Sequence, residues 1–345
     1  MTLTWILDEK IAVSPMLWND KVVELSRIIN GAVIVVEEDE LEYDIKLWDK
    51  LKVPYIHIPI PESSAPTTLT LYYIIKWICR IIKSNGKILI HCYSGKGRSC
   101  LVAAAYLVYS LRKEPTEALK IIRSKIPDAL SSLRQVHCLE NIATLLKILP
   151  EPKLSIVFDL GLKYEFGKGL ERASRVTELC IKLWCQLKDH LRLGENVSPL
   201  LLTTVILQDI GCKIMEDHHE KYSILLLEKH MDSLKNVFSL SEIDLIKMLI
   251  EYHEPKIPLP ATYRDKPLLK DDIMQLLKII RVANVLEDLL GPHIDDIEVK
   301  IRNNRIIDVK VYSTTPFISD LQIPKAIPLN IESTTLHVKI VEEWL

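Results

Sequence analysis

One stretch constrains this chain more than any other: Lys87-Ile-Leu-Ile-His91-Cys92-Tyr93-Ser94-Gly95-Lys96-Gly97-Arg98-Ser99. The apolar run Ile88 to Ile90 has the length of a buried strand, and the Gly-punctuated segment after it is a loop. Arg98-Ser99 then opens the apolar segment Leu101 to Leu111, read as a helix. A strand, a tight loop and a helix in that order turn successive backbone N–H groups inward and back them with a helix N-terminus. That is an anion site. Gly95 and Gly97 suit it, because glycine allows close approach and positive φ at no steric cost.

The chemistry follows from the same order. A thiol aimed into a ring of N–H dipoles at a helix N-terminus loses its proton readily, and the thiolate is the nucleophile. The guanidinium of Arg98 can hold two oxygens of a phosphate in fork geometry. A phosphate bound by Tyr93, Ser94, Gly95, Lys96, Gly97 and Arg98 would sit with its phosphorus above the Cys92 sulfur, ready for in-line attack.

His91-Cys92-x5-Arg98-Ser99 resembles the signature of the protein tyrosine and dual-specificity phosphatases. A second pair, His137-Cys138, has Thr144 where the arginine should stand and no intervening glycine, so it reads as helix packing. The resemblance covers about residues 1–150, where Ala105-Tyr106-Leu107, Glu117-Ala118-Leu119, Pro127 and Gln135 also match the family. It implies that Cys92 attacks phosphorus, Arg98 holds the oxygens, and Ser99 helps the thiolate leave. It also implies that His91 orients the loop and tunes Cys92. Ile58-Pro-Ile-Pro61-Glu62 stands where dual-specificity phosphatases carry their general acid; that acid is usually Asp, and here it is Glu62. Cys100 reads as a small core residue, a protective disulfide with Cys92 being the alternative. Gly-Lys96-Gly resembles phosphatases acting on inositol phospholipids, in which a second cation meets a second phosphate.

The remaining composition narrows the class. The chain has 345 residues, 48% hydrophobic and 26% charged, which indicates a globular protein with room for two domains. Seven cysteines without C-x2-C pairs fit free thiols in a reducing interior. The first residues are too acidic for a signal peptide and no apolar run is long enough to span a bilayer, so a cytoplasmic location is expected. Residues 51–150 carry 14 Lys and Arg against 5 Asp and Glu, whereas residues 1–50 carry 5 against 11. The basic third therefore holds the loop, as an anionic substrate would favour. The acidic run Glu37-Glu38-Asp39-Glu40 reads as a solvated loop rather than a site.

Periodicity predicts strands at Trp5–Val13, Ala32–Val36 and Val53–Ile58, and helices at about 17–29, 69–84, 99–111, 115–125 and 131–149. Beyond Leu149-Pro150-Glu151-Pro152 it predicts helices at about 169–192, 198–213, 216–230, 241–253 and 271–290. Strands follow at Ile297–Ile301, Ile306–Tyr312 and Thr335–Val341, with a hairpin turn at Asn303-Asn304. Several fragments of this half resemble a helical HD-type phosphohydrolase domain, as in the carboxyl region of exopolyphosphatase and guanosine-pentaphosphatase proteins. They are Glu171-Arg-Ala-Ser174, Leu207-Gln208-Asp209-Ile-Gly211, His218-His219-Glu-Lys-Tyr222, Tyr252-His253 and Arg281-Val-Ala-Asn284. Ser174, Gln208, Tyr222 and Asn284 depart from the family's metal ligands. Asp209, His219 and His253 remain, a scattered set for a metal cage, and no metal is expected.

The expectation is an α/β phosphatase domain with a mostly parallel sheet at 1–150. An all-α HD-like domain at 151–290 and a β-rich extension at 291–345 follow. The function expected is a cofactor-free, cysteine-dependent phosphomonoesterase acting on phosphoproteins. A polyanionic small molecule is the alternative substrate, and a phosphate-sensing regulatory protein the alternative role. Nucleic acid and a membrane span are not expected, and a homodimer through the carboxyl domain is compatible with the reading.

Overall fold

The computed structural model describes residues 3–7, 9–258, 270–303, 305–316, 318, 321–324, 326–329 and 333–342. The chain divides into two compact units, Met1–Thr144 and Leu145–Leu345.

The first unit is built on a five-stranded sheet. Its strands are β1 (Thr4–Leu7), β2 (Ile11–Ser14), β3 (Gly31–Ile34), β4 (Tyr55–His57) and β5 (Ile88–His91), in the spatial order β1-β2-β5-β3-β4. Only the edge pair β1–β2 is antiparallel; β2–β5, β5–β3 and β3–β4 are parallel. Helices α1 (Asn19–Leu25), α2 (Leu47–Lys50), α3 (Thr68–Lys83), α4 (Arg98–Leu111), α5 (Pro115–Lys125) and the greater part of α6 (Leu133–Ile148), which runs past Thr144, complete it. Every residue of β2, β3 and β5 is buried, as expected when a parallel sheet is covered on both faces. The central position of β5 matters for function, because its carboxyl end leads through His91-Cys92 into the Gly-rich loop before α4. α4 is apolar nearly all round, and every residue from Arg98 to Val108 is buried. Ala103, Ala104 and Ala105 let it lie close to the strands, and burial of each larger apolar side chain contributes about 1.5–3 kcal/mol.

The second unit holds α7 (Lys153–Lys163), α8 (Leu170–Leu187), α9 (Ser198–Leu207), α10 (His219–Lys229), α11 (Met231–Lys235), α12 (Leu240–Glu251) and α13 (Lys270–Leu290). A mixed four-stranded sheet follows, in the order β6-β7-β9-β8: β6 (Asp296–Arg302), β7 (Ile306–Ser313), β8 (Ile327–Pro328) and β9 (Thr335–Glu342). β6 and β7 form the expected hairpin, with Arg302 opposite Ile306; Asn304 of its turn lies outside the described residues. α7 and α11 were not expected. The predicted helix 198–213 ends at Leu207 and resumes as a 3-10 turn at Ile210–Lys213. At Gly211 a Cβ would fall 2.1 Å from the His219 carbonyl oxygen, so close packing of this turn on α10 requires glycine. Among the described residues no helix is long and apolar enough to cross a membrane.

Candidate active site

The loop between β5 and α4 is fixed at both ends by backbone bonds. The Cys92 N–H donates to Ser14 O, Met16 N–H donates to Tyr93 O, and Leu130 N–H donates to Lys96 O. Gly95 has φ +74°, and a Cβ there would lie 2.8 Å from Pro15 N; this position requires glycine. Gly97 precedes the first residue of α4, and a Cβ on it would press on the Gln135 side chain at 3.0–3.2 Å.

Inside that loop Cys92 is 1% exposed. Its sulfur receives the Gly95 N–H at 3.2 Å and lies 3.1 Å from Ser99 Oγ. A backbone dipole and a hydroxyl therefore already converge on Sγ, from the N-terminal end of α4, where negative charge is favoured. Cys100 is buried and donates its S–H to Gly95 O at 3.3 Å. Burial, reinforced by the neighbouring Cys92 charge, pushes its thiol up to about 12, so it packs as a neutral core thiol. Tyr93 and Lys96 are exposed at the loop's rim.

Arg98 is 3% exposed, and three of its N–H groups are committed. Nη1 and Nη2 form a two-pronged pair with Glu40 at 2.5 and 2.8 Å, and Nη1 also donates to Ile60 O at 2.7 Å. A guanidinium has five N–H groups. Those three bonds leave the Nε–H and one Nη2–H, which lie side by side as a second fork. Glu40 thus orients Arg98 from its end and leaves the lateral fork for two oxygens of a bound anion. The Arg98 hydrogen bonds hold the Glu40 carboxyl below the usual range, despite partial burial. The acidic run 37–40 was expected to be solvated loop; it is a 3-10 turn at Glu38–Glu40 whose last residue is the arginine's partner. Burying a guanidinium without a counter-charge is costly, which is the physical reason for the correction.

His91 is fully buried behind the loop. Its Nε2 lies 2.7 Å from Tyr43 Oη, and Tyr43 Oη receives the Trp48 indole N–H at 3.2 Å. That bond ties the His91 ring, through Tyr43, to the Trp48 indole. Burial lowers the His91 pKa to about 4, and the ring is neutral at physiological pH. A neutral, buried imidazole orients the loop and has no outlet for proton transfer to solvent.

Glu62 stands exposed in the turn Pro61–Ser64. The segment carrying it is tied down on each side. Arg98 holds Ile60 O, Ser132 Oγ donates to Ser63 O at 2.7 Å, Gln135 Nε2 donates to Ser64 O at 3.0 Å, and Cys138 donates to Pro66 O at 3.1 Å. His137-Cys138 lies within α6, as its sequence context suggested, and the Cys138 thiol helps anchor this segment. The structure therefore brings His91, Cys92, the loop 93–97, Arg98 and Ser99 together, with Glu62 on a segment that Arg98 itself holds. Sequence reasoning missed Glu40, Tyr43, Trp48, Ser132 and Gln135 as supports. An arginine destined for burial demands a carboxylate, but nothing in the spacing selects Glu40 among its acidic neighbours.

In the second unit, Gln208 and Asn284 satisfy one another. Gln208 Nε2 donates to Asn284 Oδ1 at 2.7 Å, and Asn284 Nδ2 donates to Gln208 Oε1 at 3.2 Å. Asp209, His219 and His253, expected to be scattered, instead adjoin: His219 Nε2 is 3.2 Å from Asp209 Oδ1, and His253 Nε2 is 3.8 Å from the same oxygen.

Comparison with known proteins agrees with the loop geometry. Residues 22–143 match the family model "Dual specificity phosphatase, catalytic domain". Cyclin-dependent kinase inhibitor 3 of Rattus norvegicus is 34% identical over 99 residues, which cover 28% of this chain and 47% of that protein. The tyrosine-protein phosphatase CDC14 of Candida albicans is 25% identical over 197 residues, covering 51% of this chain and 32% of that protein. Among solved structures, Tk-PTP in the active form is 35% identical, with a TM-score of 0.40, 41% of this chain and 95% of that chain being covered. The chain thus spans less than half the length of the curated relatives first matched. The stretch that matches the catalytic-domain model, residues 22–143, contains the loop His91–Ser99 and Glu62.

Proposed function

We propose that the chain is a cysteine-dependent phosphatase that hydrolyses phosphomonoesters through a phosphocysteine, with phosphoproteins as its substrates. The observation that carries this reading is the Cys92 sulfur held between the Gly95 N–H and Ser99 Oγ, beside the uncommitted lateral fork of Arg98. In the first step the thiolate forms an S–P bond as the ester P–O bond breaks. Loop amides and Arg98 hold the non-bridging oxygens, and Glu62 gives its proton to the leaving oxygen. In the second, water attacks phosphorus, the Glu62 carboxylate takes its proton, and the departing thiolate is stabilised by the Ser99 hydroxyl. His91, kept neutral by burial and bonded to Tyr43, keeps the loop in register. Relatives named as a cyclin-dependent kinase inhibitor and as a tyrosine-protein phosphatase support a protein substrate.

Exposed Lys96 favours a second reading. Its ammonium stands at the rim of the loop while its carbonyl is pinned by Leu130, a position from which it can meet a second phosphate. In the second unit, the Gln208–Asn284 pair replaces two positions at which HD-type domains place metal ligands, and this supports an HD-like module without phosphohydrolase activity of its own. The deciding experiment is a panel of phosphopeptides, an aryl phosphate, phosphoinositides and nucleotides, assayed with wild type, Cys92→Ser and Lys96→Ala. Loss of all turnover in Cys92→Ser is expected; retained turnover overturns the mechanism. A selective loss on multiply phosphorylated compounds in Lys96→Ala would replace the phosphoprotein reading with the polyanion one.

A further inference from the structure

In the second unit, α7 and the junction of α10 with α11 leave between them a cavity of about 280 Å³, lined by Ile156, Asp159, Leu160, Lys163, His230 and Ser233. The four α7 residues are spaced by three and four, so they share one face of that helix. Leu160 is buried and Ile156 half-buried, and together they give the cavity its apolar part. The remaining lining is polar. From α7 it takes Asp159 and Lys163, and from the facing side His230, which joins α10 to α11, and Ser233 of α11. His230 is set in place twice. Its backbone N–H donates to Leu226 O and Leu227 O at the end of α10, and its Nε2 lies 2.9 Å from the Oη of Tyr164, just past α7.

Three of these polar side chains keep hydrogen-bonding capacity that nothing engages among the described residues. Lys163 makes no ion pair, its ammonium lying 5.9 Å from the Tyr164 ring centroid; Ser233 Oγ makes no hydrogen bond; His230 Nδ1 has no partner. Burial, and then the charges of Lys163 and Lys229, hold His230 below its usual pKa. An imidazole that neighbouring cations discourage from charging marks a positive region, and a bound anion relieves it. Asp159, whose carboxylate receives the Ser155 hydroxyl at 3.5 Å, limits how much negative charge the cavity accepts. One carboxylate beside one ammonium suits a singly charged anion, because a phosphate dianion would meet twice the repulsion from Asp159. Size sets a second limit. Sites for drug-sized ligands run to about 300–1,000 Å³, so this cavity takes a smaller molecule.

We propose that this cavity binds a small monocarboxylate with an apolar body, its oxygens held by Lys163, His230 and Ser233 and its body lying on Ile156 and Leu160. All six lining residues belong to the second unit, so the proposal stands apart from the phosphatase reading. The test uses the full chain, with vanadate present to fill the Cys92 loop and benzoate as the probe, followed by ligand-observed NMR and calorimetry. One saturable site with a Kd of about 1–10 mM is expected for so small a ligand. Lys163→Met should weaken it by about 5–10-fold and Ser233→Ala by about 2–5-fold, the losses of a charged and a neutral hydrogen bond partly open to water. Both positions are exposed, so the fold should tolerate the changes. Benzyl alcohol, which has the body without the charge, should bind about tenfold more weakly than benzoate. Absence of saturable benzoate binding, or binding that Lys163→Met leaves untouched, overturns the proposal. Tighter binding of phenylphosphonate than of benzoate overturns the monocarboxylate assignment, and tighter binding of benzylamine overturns it in favour of a cation held by Asp159.

Discussion

The Glu40–Arg98 pair yields the most demanding prediction. The two side chains are 18% and 4% exposed, joined by hydrogen bonds of 2.5 and 2.8 Å. Glu40→Gln keeps the shape, removes the charge, and turns one amide N–H toward a guanidinium N–H. Breaking a buried pair costs about 3–5 kcal/mol; because Glu40 retains some contact with water, the lower end, about 3 kcal/mol, applies. Part of this appears as lost stability and part as lost orientation of the lateral fork. On substrate a phosphate dianion restores a counter-charge to Arg98, so kcat/KM should fall by about 10–100-fold, corresponding to about 1.4–2.8 kcal/mol. The assay is steady-state hydrolysis of an aryl phosphate alongside thermal or urea unfolding, with Glu38→Gln at the exposed neighbouring position as the charge control. The pH dependence carries a sign. The folded Glu40 pKa lies below its ordinary 4.5, so the pair's stabilisation is complete above 4.5 and is lost as pH falls through the depressed value. Glu40→Gln should lack that acid-side loss. If Glu40→Gln keeps both kcat/KM and stability near wild type, or if Glu38→Gln behaves the same way, the account of Arg98 orientation is wrong.

Glu62→Gln should lower turnover of substrates with poor leaving groups by about 10²–10⁴-fold and abolish the decline of activity on the basic side, where a proton donor would be lost; an unchanged basic limb removes Glu62 from the mechanism. Tyr43→Phe leaves the Trp48 N–H and His91 Nε2 buried without their partner, so chemical unfolding should register a loss of about 1–3 kcal/mol; an unaltered midpoint would show that this chain of bonds does not support the loop. Gly95→Ala combines φ +74° with a Cβ 2.8 Å from Pro15 N, and should abolish vanadate binding by displacing the loop even where the protein remains folded by circular dichroism. Normal vanadate affinity in that variant would contradict the required glycine.

The loop from His91 to Ser99 is legible in the sequence because all of its parts are consecutive: strand, thiol, glycines, arginine and helix each leave a local mark. Its supports are not local. Glu40 lies 58 residues from Arg98, Tyr43 lies 48 from His91, and Ser132 and Gln135 lie 69 and 71 from the carbonyls they hold. An acidic run looks solvated until the fold sets a buried guanidinium beside it. In the second unit, apolar periodicity carries through Gln208, so one helix was expected where packing of Gly211 against α10 forces a break. α7 was missed because Pro150 and Pro152 read as a linker running into its first turn. The histidines and Asp209 lie on separate helices or just beyond their ends, and no spacing rule draws Nε2 atoms together. Only the fold does so.

The central claim is that Cys92 itself accepts the phosphoryl group. Rapid quenching of a reaction with labelled aryl phosphate, using Ser99→Ala to slow thiolate departure, should trap the chain bearing one phosphoryl group. Peptide mass spectrometry should locate it on Cys92. A label found on another residue, or turnover at wild-type rate in Cys92→Ser without any trapped species, would contradict the account.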